Sequence, residues 1–206
     1  MRLPLVAAAV ILPLFVCGAA AATAKPARVG RAIITFYWTI DESSSRYRLK
    51  TSTVLRDPAG TVVAQTSKRF KRDLVKQGTG VLRDGRTVYY VRRVAGESRF
   101  RVTSSPYGIG STGCPLIPYR TVAVDPHFVK IGSRVYIPQL KGARLPDGTI
   151  HDGMFIAGDR GRFRGAHIDF FAGYGPRGAR PFIRKGYRSR SHVTVYIAGR
   201  SSGCEP

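Results

Sequence analysis

Carboxylates are scarce in this sequence. Twelve Asp and Glu residues stand against 34 Lys and Arg, which leaves a formal charge of +22 over 206 residues. Such a balance points to a polyanionic partner: nucleic acid, an anionic membrane surface or an anionic cell-wall polymer. It carries no information about fold. Histidine is sparse too. His127, His151, His167 and His192 include no i, i+2 or i, i+4 pair, and the cysteines are isolated, so no local metal-binding pattern is spelled out. No stretch shows a long 3.6-residue apolar stripe, a fixed-period repeat or a low-complexity block. The Gly-x-Ser-x-Gly turn is absent, and no nucleophile triad is legible.

What is present is ample for a core, since 43% of residues are hydrophobic. The start of the chain reads as an export leader: Arg2, then LPLVAAAVILPLFVCGAAAA, then a small-x-small site at Ala22-Thr23-Ala24. Pro13 interrupts the apolar run and disfavours a spanning helix, although an uncleaved anchor remains an alternative. A lipoprotein signal at Cys17 is disfavoured by bulky Val16 before it. The boundaries that follow are a leader over 1–24, a basic linker over 25–31, one β-domain over 32–200 and a tail over 201–206. Removing the leader leaves Cys114 and Cys204. In an exported protein this even pair predicts a disulfide, against the alternative of two free thiols.

The body reads as strands. AIITFYWTI, RYRLKTSTVLRD, TVVAQTSKRF, RFRVTSS, RTVAVD, SRVYIP, GMFIAG, AHIDFFA and HVTVYIAG are short and bounded by Gly, Pro, Asp or Ser. TGVLRDGRTVYYVRRV reads as a hairpin around Asp84-Gly85. The class is therefore all-β, a barrel or a sandwich. YGPRGARPFIRKGYRSRS reads as a basic surface segment with room for a short helical turn. GIGSTG, Gly108 to Gly113, formally matches a dinucleotide fingerprint. However, Pro115 and Pro118 follow and forbid the helix that the fingerprint needs, so it is a loop.

Three of the few carboxylates stand out. Asp125 precedes Pro126, a helix-start pair, and capping one turn is as good a reading as catalysis. Asp159 sits among Arg160, Arg162 and Arg164, which reads as a salt-bridged turn. Asp169 lies in HIDFFAGYG among apolar residues. On a strand, His167, Asp169 and Phe171 share one face, and Ile168, Phe170 and Ala172 share the other. Apolar surroundings raise a carboxyl pKa, as a general acid requires. The plainer alternative is an Asp that only accepts backbone hydrogen bonds.

Taken in order, TVAVDPHFVKIGSRVYI and FIAGDRGRFRGAHIDFF resemble the three-aspartate (3D) domain found in membrane-bound murein lytic transglycosylase A and related bacterial cell-wall proteins. QGTGVLRDGRTVYY and CPLIPYRTVAVDP extend the likeness, which is strong from Gly78 to Gly173. The resemblance implies a six-stranded double-psi β-barrel with long loops. It implies Asp169 as catalytic acid, with Asp159 and Asp125 shaping the site. Tyr37, Trp38, Arg160, His167, Phe171, Arg177 and Arg180 are the expected substrate contacts. The implied chemistry is non-hydrolytic cleavage between N-acetylmuramic acid and N-acetylglucosamine, with a 1,6-anhydro product and neither cofactor nor metal. Departures from the pattern are DRGRFRG in place of a Thr-Gly-Gly core, GYGPRGARPF where an acid often follows, and no legible second domain for the other wall of a substrate groove.

Three functions compete. One is an exported murein-cleaving enzyme of the periplasm or cell envelope, expected as a monomer acting on peptidoglycan strands and drawn to anionic envelope polymers. Another is a non-catalytic wall-binding module. The third is a nucleic-acid-binding protein, suggested by charge and ten tyrosines but opposed by the leader and by the absence of any recognised nucleic-acid motif.

Overall fold

The computed structural model describes residues 25–48 and 52–204. Residues 1–24, expected as a leader and including Cys17, lie outside the described residues. The first half of the chain runs through β1 (Ala27–Asp41), β2 (Ser52–Arg56), β3 (Val62–Ser67), α1 (Lys68–Gln77), β4 (Thr79–Val81), β5 (Thr87–Val94) and β6 (Glu97–Thr103). The second half adds β7 (Thr121–Val124), β8 (Ser133–Tyr136), β9 (Met154–Arg160), β10 (His167–Tyr174), α2 (Arg180–Arg184) and β11 (His192–Arg200). No helix among the described residues is long and apolar enough to cross a membrane.

Six strands close on themselves in the order β10-β7-β9-β8-β11-β1, with β1 returning to pair with β10. The barrel is mixed: β1–β10 and β7–β9 are parallel, and the other pairs are antiparallel. This is the closed six-stranded barrel that the resemblance implies. Closure leaves no open edge within this ring. Its interior is apolar, built from alternate residues such as Ile34, Val122, Val124, Ile168, Phe170, Val193 and Val195. The same alternation sends Thr35, Tyr37, Ala123 and Asp169 to the outer wall.

β1 is long enough to serve two sheets. Residues 27–39 close the barrel, and Ile40 and Asp41 pair with β4 to begin a second sheet, β4-β5-β6-β2-β3. That sheet and α1 enclose a second core of Ile40, Tyr47, Leu55, Phe70, Leu74, Leu82, Val88 and Phe100. The span 32–200 thus holds a barrel and an added lobe.

Two local readings are corrected. Residues 27–31, expected as linker, are strand: Ala27 to Ala32 pair with β11, so the exposed basic side chains decorate an edge of the barrel wall. TVVAQTSKRF is a strand only to Ser67, where α1 starts. Ser67 caps that helix by accepting a hydrogen bond from Phe70 N at 3.1 Å. Phe70 and Leu74, one turn apart, then bury their side chains while Lys68, Arg69, Arg72 and Lys76 stay exposed. An apolar face of two residues in a basic decapeptide is too thin to register as a stripe. The predicted disulfide Cys114–Cys204 is present and ties the tail to the 108–118 loop across 90 residues of sequence.

Candidate active site

The site begins with strand register. Asp169 on β10 pairs with Ala123 on β7, and Ala123 pairs with Asp159 on β9. On the far side of β10, Thr35 of β1 pairs with Asp169. Thr35, Asp169, Ala123 and Asp159 therefore form one row across four adjacent strands. Neighbouring strands lie about 4.8 Å apart, so the two Asp Cα atoms are roughly 10 Å apart with only the alanine methyl between them. Ala123 of this row packs with Tyr37, Leu116 and Phe171 in a small buried cluster on the outer wall.

Asp169, Ala123 and Asp159 of this row form the floor of a groove of about 1140 Å³. One wall is barrel and loop, including Asp125, Arg160, Arg162 and Phe163. The other is the added lobe, through Lys76, Gln77, Thr79, Tyr89 and Tyr90. The sequence shows no second wall, yet the chain builds one from α1, β4 and β5. The loop 161–165 reaches that wall: the Arg162 guanidinium lies over the Tyr90 ring, 4.6 Å from its centroid.

The three aspartates have different environments. Asp125 Oδ1 accepts from His127 N and His127 Nδ1, each at 3.0 Å, and Oδ2 accepts from Gly165 N at 2.7 Å. The two backbone donors and the imidazole hold its carboxyl down to about 2. It caps its own turn, as the plainer reading has it, and also anchors the 161–165 loop.

Asp159 makes no ion pair with the arginines beside it; its partners are neutral. Oδ1 accepts from Ser111 Oγ at 2.7 Å, Ser111 N at 3.2 Å and Arg160 N at 2.8 Å. Oδ2 accepts from Tyr37 Oη at 3.4 Å. Burial raises its pKa, against the pull of these donors. Ser111 comes from the GIGSTG loop, which lies so close to β9 that a Cβ on Gly110 would sit 2.5 Å from Gly158 O. Gly108 and Gly110 of that motif thus serve close packing against Thr79 and β9 rather than a phosphate.

Asp169 is the least satisfied. Among the described residues it has one hydrogen bond, from Thr35 Oγ1 to Oδ1 at 2.7 Å. Burial pushes its pKa up to about 6, with the Thr35 donor opposing and the Asp159 charge adding. Thr35 also contacts His167 Nε2 at 2.8 Å. A hydroxyl has one proton to give, so when Thr35 donates to ionised Asp169, His167 Nε2 must donate to Thr35. Lys76, from α1, pulls the Asp169 pKa down through its charge.

The other expected contacts divide. Tyr37 and Arg160 line the groove. Trp38 does not: one residue on from Tyr37, it packs on the second core, and its backbone N–H donates to Gln77 Oε1 at 3.0 Å. Phe171 is fully buried beneath the floor, where no substrate reaches. His167 is one hydrogen bond away from the groove, stacked on Phe163 with ring centroids 3.8 Å apart. Arg177 and Arg180 line a different cavity. Reading the sequence did not single out Thr35 or Ala123, passed over Ser111, and named no residue of the second wall.

Comparison with known proteins finds a family match on the barrel and a shared fold beyond it. Residues 120–197 match the family model of the 3D domain. Those residues hold all three aspartates, the barrel strands β7 to β10 and most of β11. Among solved structures, the chain is similar to MltA of Escherichia coli with bound chitohexaose, at 15% identity and a TM-score of 0.52, covering 82% of this chain and 71% of that one. It is similar to a membrane-bound lytic murein transglycosylase from Agrobacterium tumefaciens, at 14% identity and a TM-score of 0.54, covering 84% and 75%. It is similar to MltA from Neisseria gonorrhoeae, at 12% identity and a TM-score of 0.53, covering 85% and 75%. No curated protein sequence matches. The shared fold extends well beyond the 3D domain, since these matches cover more than four fifths of the chain.

Proposed function

We propose that this protein is a peptidoglycan lytic transglycosylase, exported to the periplasm or cell envelope, with Asp169 as general acid and then base. The observation that carries the reading is the contrast between the two groove carboxylates. Asp159 uses its acceptor sites on Ser111, Tyr37 and backbone. Asp169 has one protein donor and a pKa of about 6, so it holds a proton near neutrality and can release it. A hydrolytic glycosidase needs a second free carboxylate to handle water or the sugar ring. This site offers one.

The chemistry that fits one free acid is intramolecular. The Asp169 carboxyl protonates the glycosidic oxygen as its bond to C1 breaks. The C6 hydroxyl of the same N-acetylmuramic acid closes on C1, and its proton passes to the Asp169 carboxylate. A 1,6-anhydro end forms, no water is consumed, and the acid is regenerated. Thr35 holds Asp169 in place, and His167 fixes the Thr35 hydroxyl. Asp159 and Tyr37 shape the floor beside the reacting bond, and Asp125 positions the 161–165 loop. Two walls give the polymer a channel, and the chitohexaose bound by the E. coli protein is consistent with an extended glycan lying along it.

A second reading, glycan binding without turnover, draws on the Arg162–Tyr90 contact, which joins the two walls across the groove. Mass spectrometry of murein incubated with the mature chain separates the two. Anhydro-muropeptides support the enzyme, reducing ends from hydrolysis refute the mechanism, and intact glycan retained on the protein supports the binding module.

A further inference from the structure

A second cavity lies at the C-terminal end of β10, away from Asp169. It measures about 670 Å³, and Arg144, Arg177, Arg180 and Arg184 line it. It shares no lining residue with the groove. Among the described residues, none of these four guanidinium groups has a carboxylate partner. Two acids are nearby. Asp147 raises the Tyr119 pKa but turns into its own loop, where it accepts from Thr149 N at 2.9 Å and Thr149 Oγ1 at 2.7 Å. Asp41 raises the Tyr174 pKa and accepts from Ser43 N at 2.8 Å. Among the described residues, the positive charge over the cavity is therefore left without an acidic partner, and Arg144 donates only to backbone, from Nη1 to Gly148 O at 3.4 Å.

Three tyrosines of this cavity are held in place. Tyr107 and Tyr174 meet with ring centroids 5.0 Å apart, and Tyr174 Oη donates to Pro106 O at 3.1 Å. Tyr119 has a φ of +63°, in the left-handed region where a bulky side chain is strained. Two contacts enforce that conformation. Tyr119 N donates to Phe171 O at 2.9 Å, and Tyr119 O lies 2.6 Å from Nε2 of the fully buried His151. Strain maintained by a buried polar group is characteristic of functional positions. Opposite, the 176–179 turn presses onto β10, because Gly178 has no Cβ; one would lie 1.8 Å from Ala172 O. That approach brings Arg177 and Arg180 to the cavity.

We propose that this cavity is a second glycan site, selective for saccharides that bear carboxylates. The fixed aromatic rings offer a face to the sugar, and the arginines offer bidentate partners to the carboxylate. The proposal rests on the wall-glycan reading above and adds the recognition of charge. Two groups in peptidoglycan supply that chemistry: the lactyl carboxylate of a strand stripped of its peptides, and the carboxylates of the stem peptide.

Calorimetric titration tests it, with the mature chain and an Arg177→Gln/Arg180→Gln/Arg184→Gln variant, both carrying Asp169→Asn so that no probe is cleaved. The three arginines are exposed, and thermal unfolding checks that the fold is intact. The probes are neutral chitohexaose, peptide-free muramyl oligosaccharide, stem-bearing disaccharide peptide and, as the phosphate-bearing control, a glycerol-phosphate oligomer. The expected result is about a tenfold or greater loss of affinity for at least one acidic probe, with chitohexaose within about twofold of the parent. Whichever acidic probe responds identifies the source of the carboxylate. Equal binding of acidic probes by both proteins, an equal loss for chitohexaose, or no acidic probe binding to the parent overturns the site. So does a variant-sensitive response to a glycerol-phosphate oligomer with none to the carboxylates. Failure of the parent to bind chitohexaose counts against the groove reading instead, and the acidic probes then decide the cavity on their own.

Discussion

Asp159 and Asp169 are both register partners of Ala123, one across a parallel strand pair and the other across an antiparallel pair. The two acids thus sit on the strands flanking one methyl group, facing one groove. Directly paired residues point to the same face of a sheet whichever way the strands run, so both carboxylates share the outer face with Ala123. The spacing is set by backbone pairing rather than by side-chain flexibility, and it leaves a gap where a sugar ring can meet Asp169 from the Asp159 side.

Ala123→Leu tests that gap. The leucine side chain fills the space between the carboxylates, and Ala123 is only 4% exposed, so part of the added bulk also presses on Leu116 and Phe171. Overpacking of this kind costs about 1–3 kcal/mol. The expected result is a folded variant with anhydro-sugar release down by about 100-fold or more through misplacement of the glycan. Cleavage at the parental rate would mean that the scissile bond lies elsewhere in the groove.

Asp169→Asn separates chemistry from stability. The folded pKa is raised from 3.8 to about 6, so the folded state holds the proton more tightly than the unfolded chain does. The resulting cost of ionisation is absent below about pH 4, grows between about pH 4 and 6, and is complete above. Two pKa units correspond to about 3 kcal/mol. The Asn variant is expected to lose about 100- to 10,000-fold in cleavage, and to be more stable than the parent at pH 8 but equal to it at pH 4. Urea unfolding at the two pH values checks this, and a variant destabilised at pH 8 contradicts the buried-acid picture.

Thr35→Val shifts the working pH in a defined direction. The Thr35 hydroxyl donates to Asp169 and lowers its pKa, so its loss raises that pKa further. Activity that depends on the protonated acid then persists to higher pH, and the alkaline limb of the rate profile moves up. A limb that moves down, or stays while the rate falls, assigns Thr35 a purely steric role.

Much of this was legible locally. The alternation in HIDFFAGYG correctly sends Asp169 out and Ile168 and Phe170 in, because a strand has a period of two. The order of the three aspartates identifies the barrel. What the sequence hid is set by long-range register. Thr35 is 134 positions from Asp169, and Ser111 is 48 from Asp159, and neither carries a local signature. Lys76 and Tyr90 look like ordinary surface residues until the added lobe folds against the barrel. The arginines after β10 were misplaced for a geometric reason. Eight strand residues span about 26 Å, so residues that follow the strand lie far from Asp169, near its start.

The disulfide links the tail to this chemistry. Cys114 ends the loop from which Ser111 reaches Asp159, and Cys204 holds that loop to the end of β11. Closing a 90-residue segment stabilises the fold by about 2–4 kcal/mol, mainly by restricting the unfolded chain. Cys204→Ser is therefore expected to lower the unfolding temperature. It also frees the 108–118 loop, so Ser111 holds Asp159 less firmly and the spacing to Asp169 loosens. Cleavage should fall even at temperatures where the variant is fully folded, whereas a disulfide that acts only on the unfolded state leaves it unchanged. Non-reducing peptide mapping of the protein, with rates measured well below the transition, distinguishes the two. Recovery of both thiols free removes the premise. A folded variant with parental turnover confines the disulfide to stability.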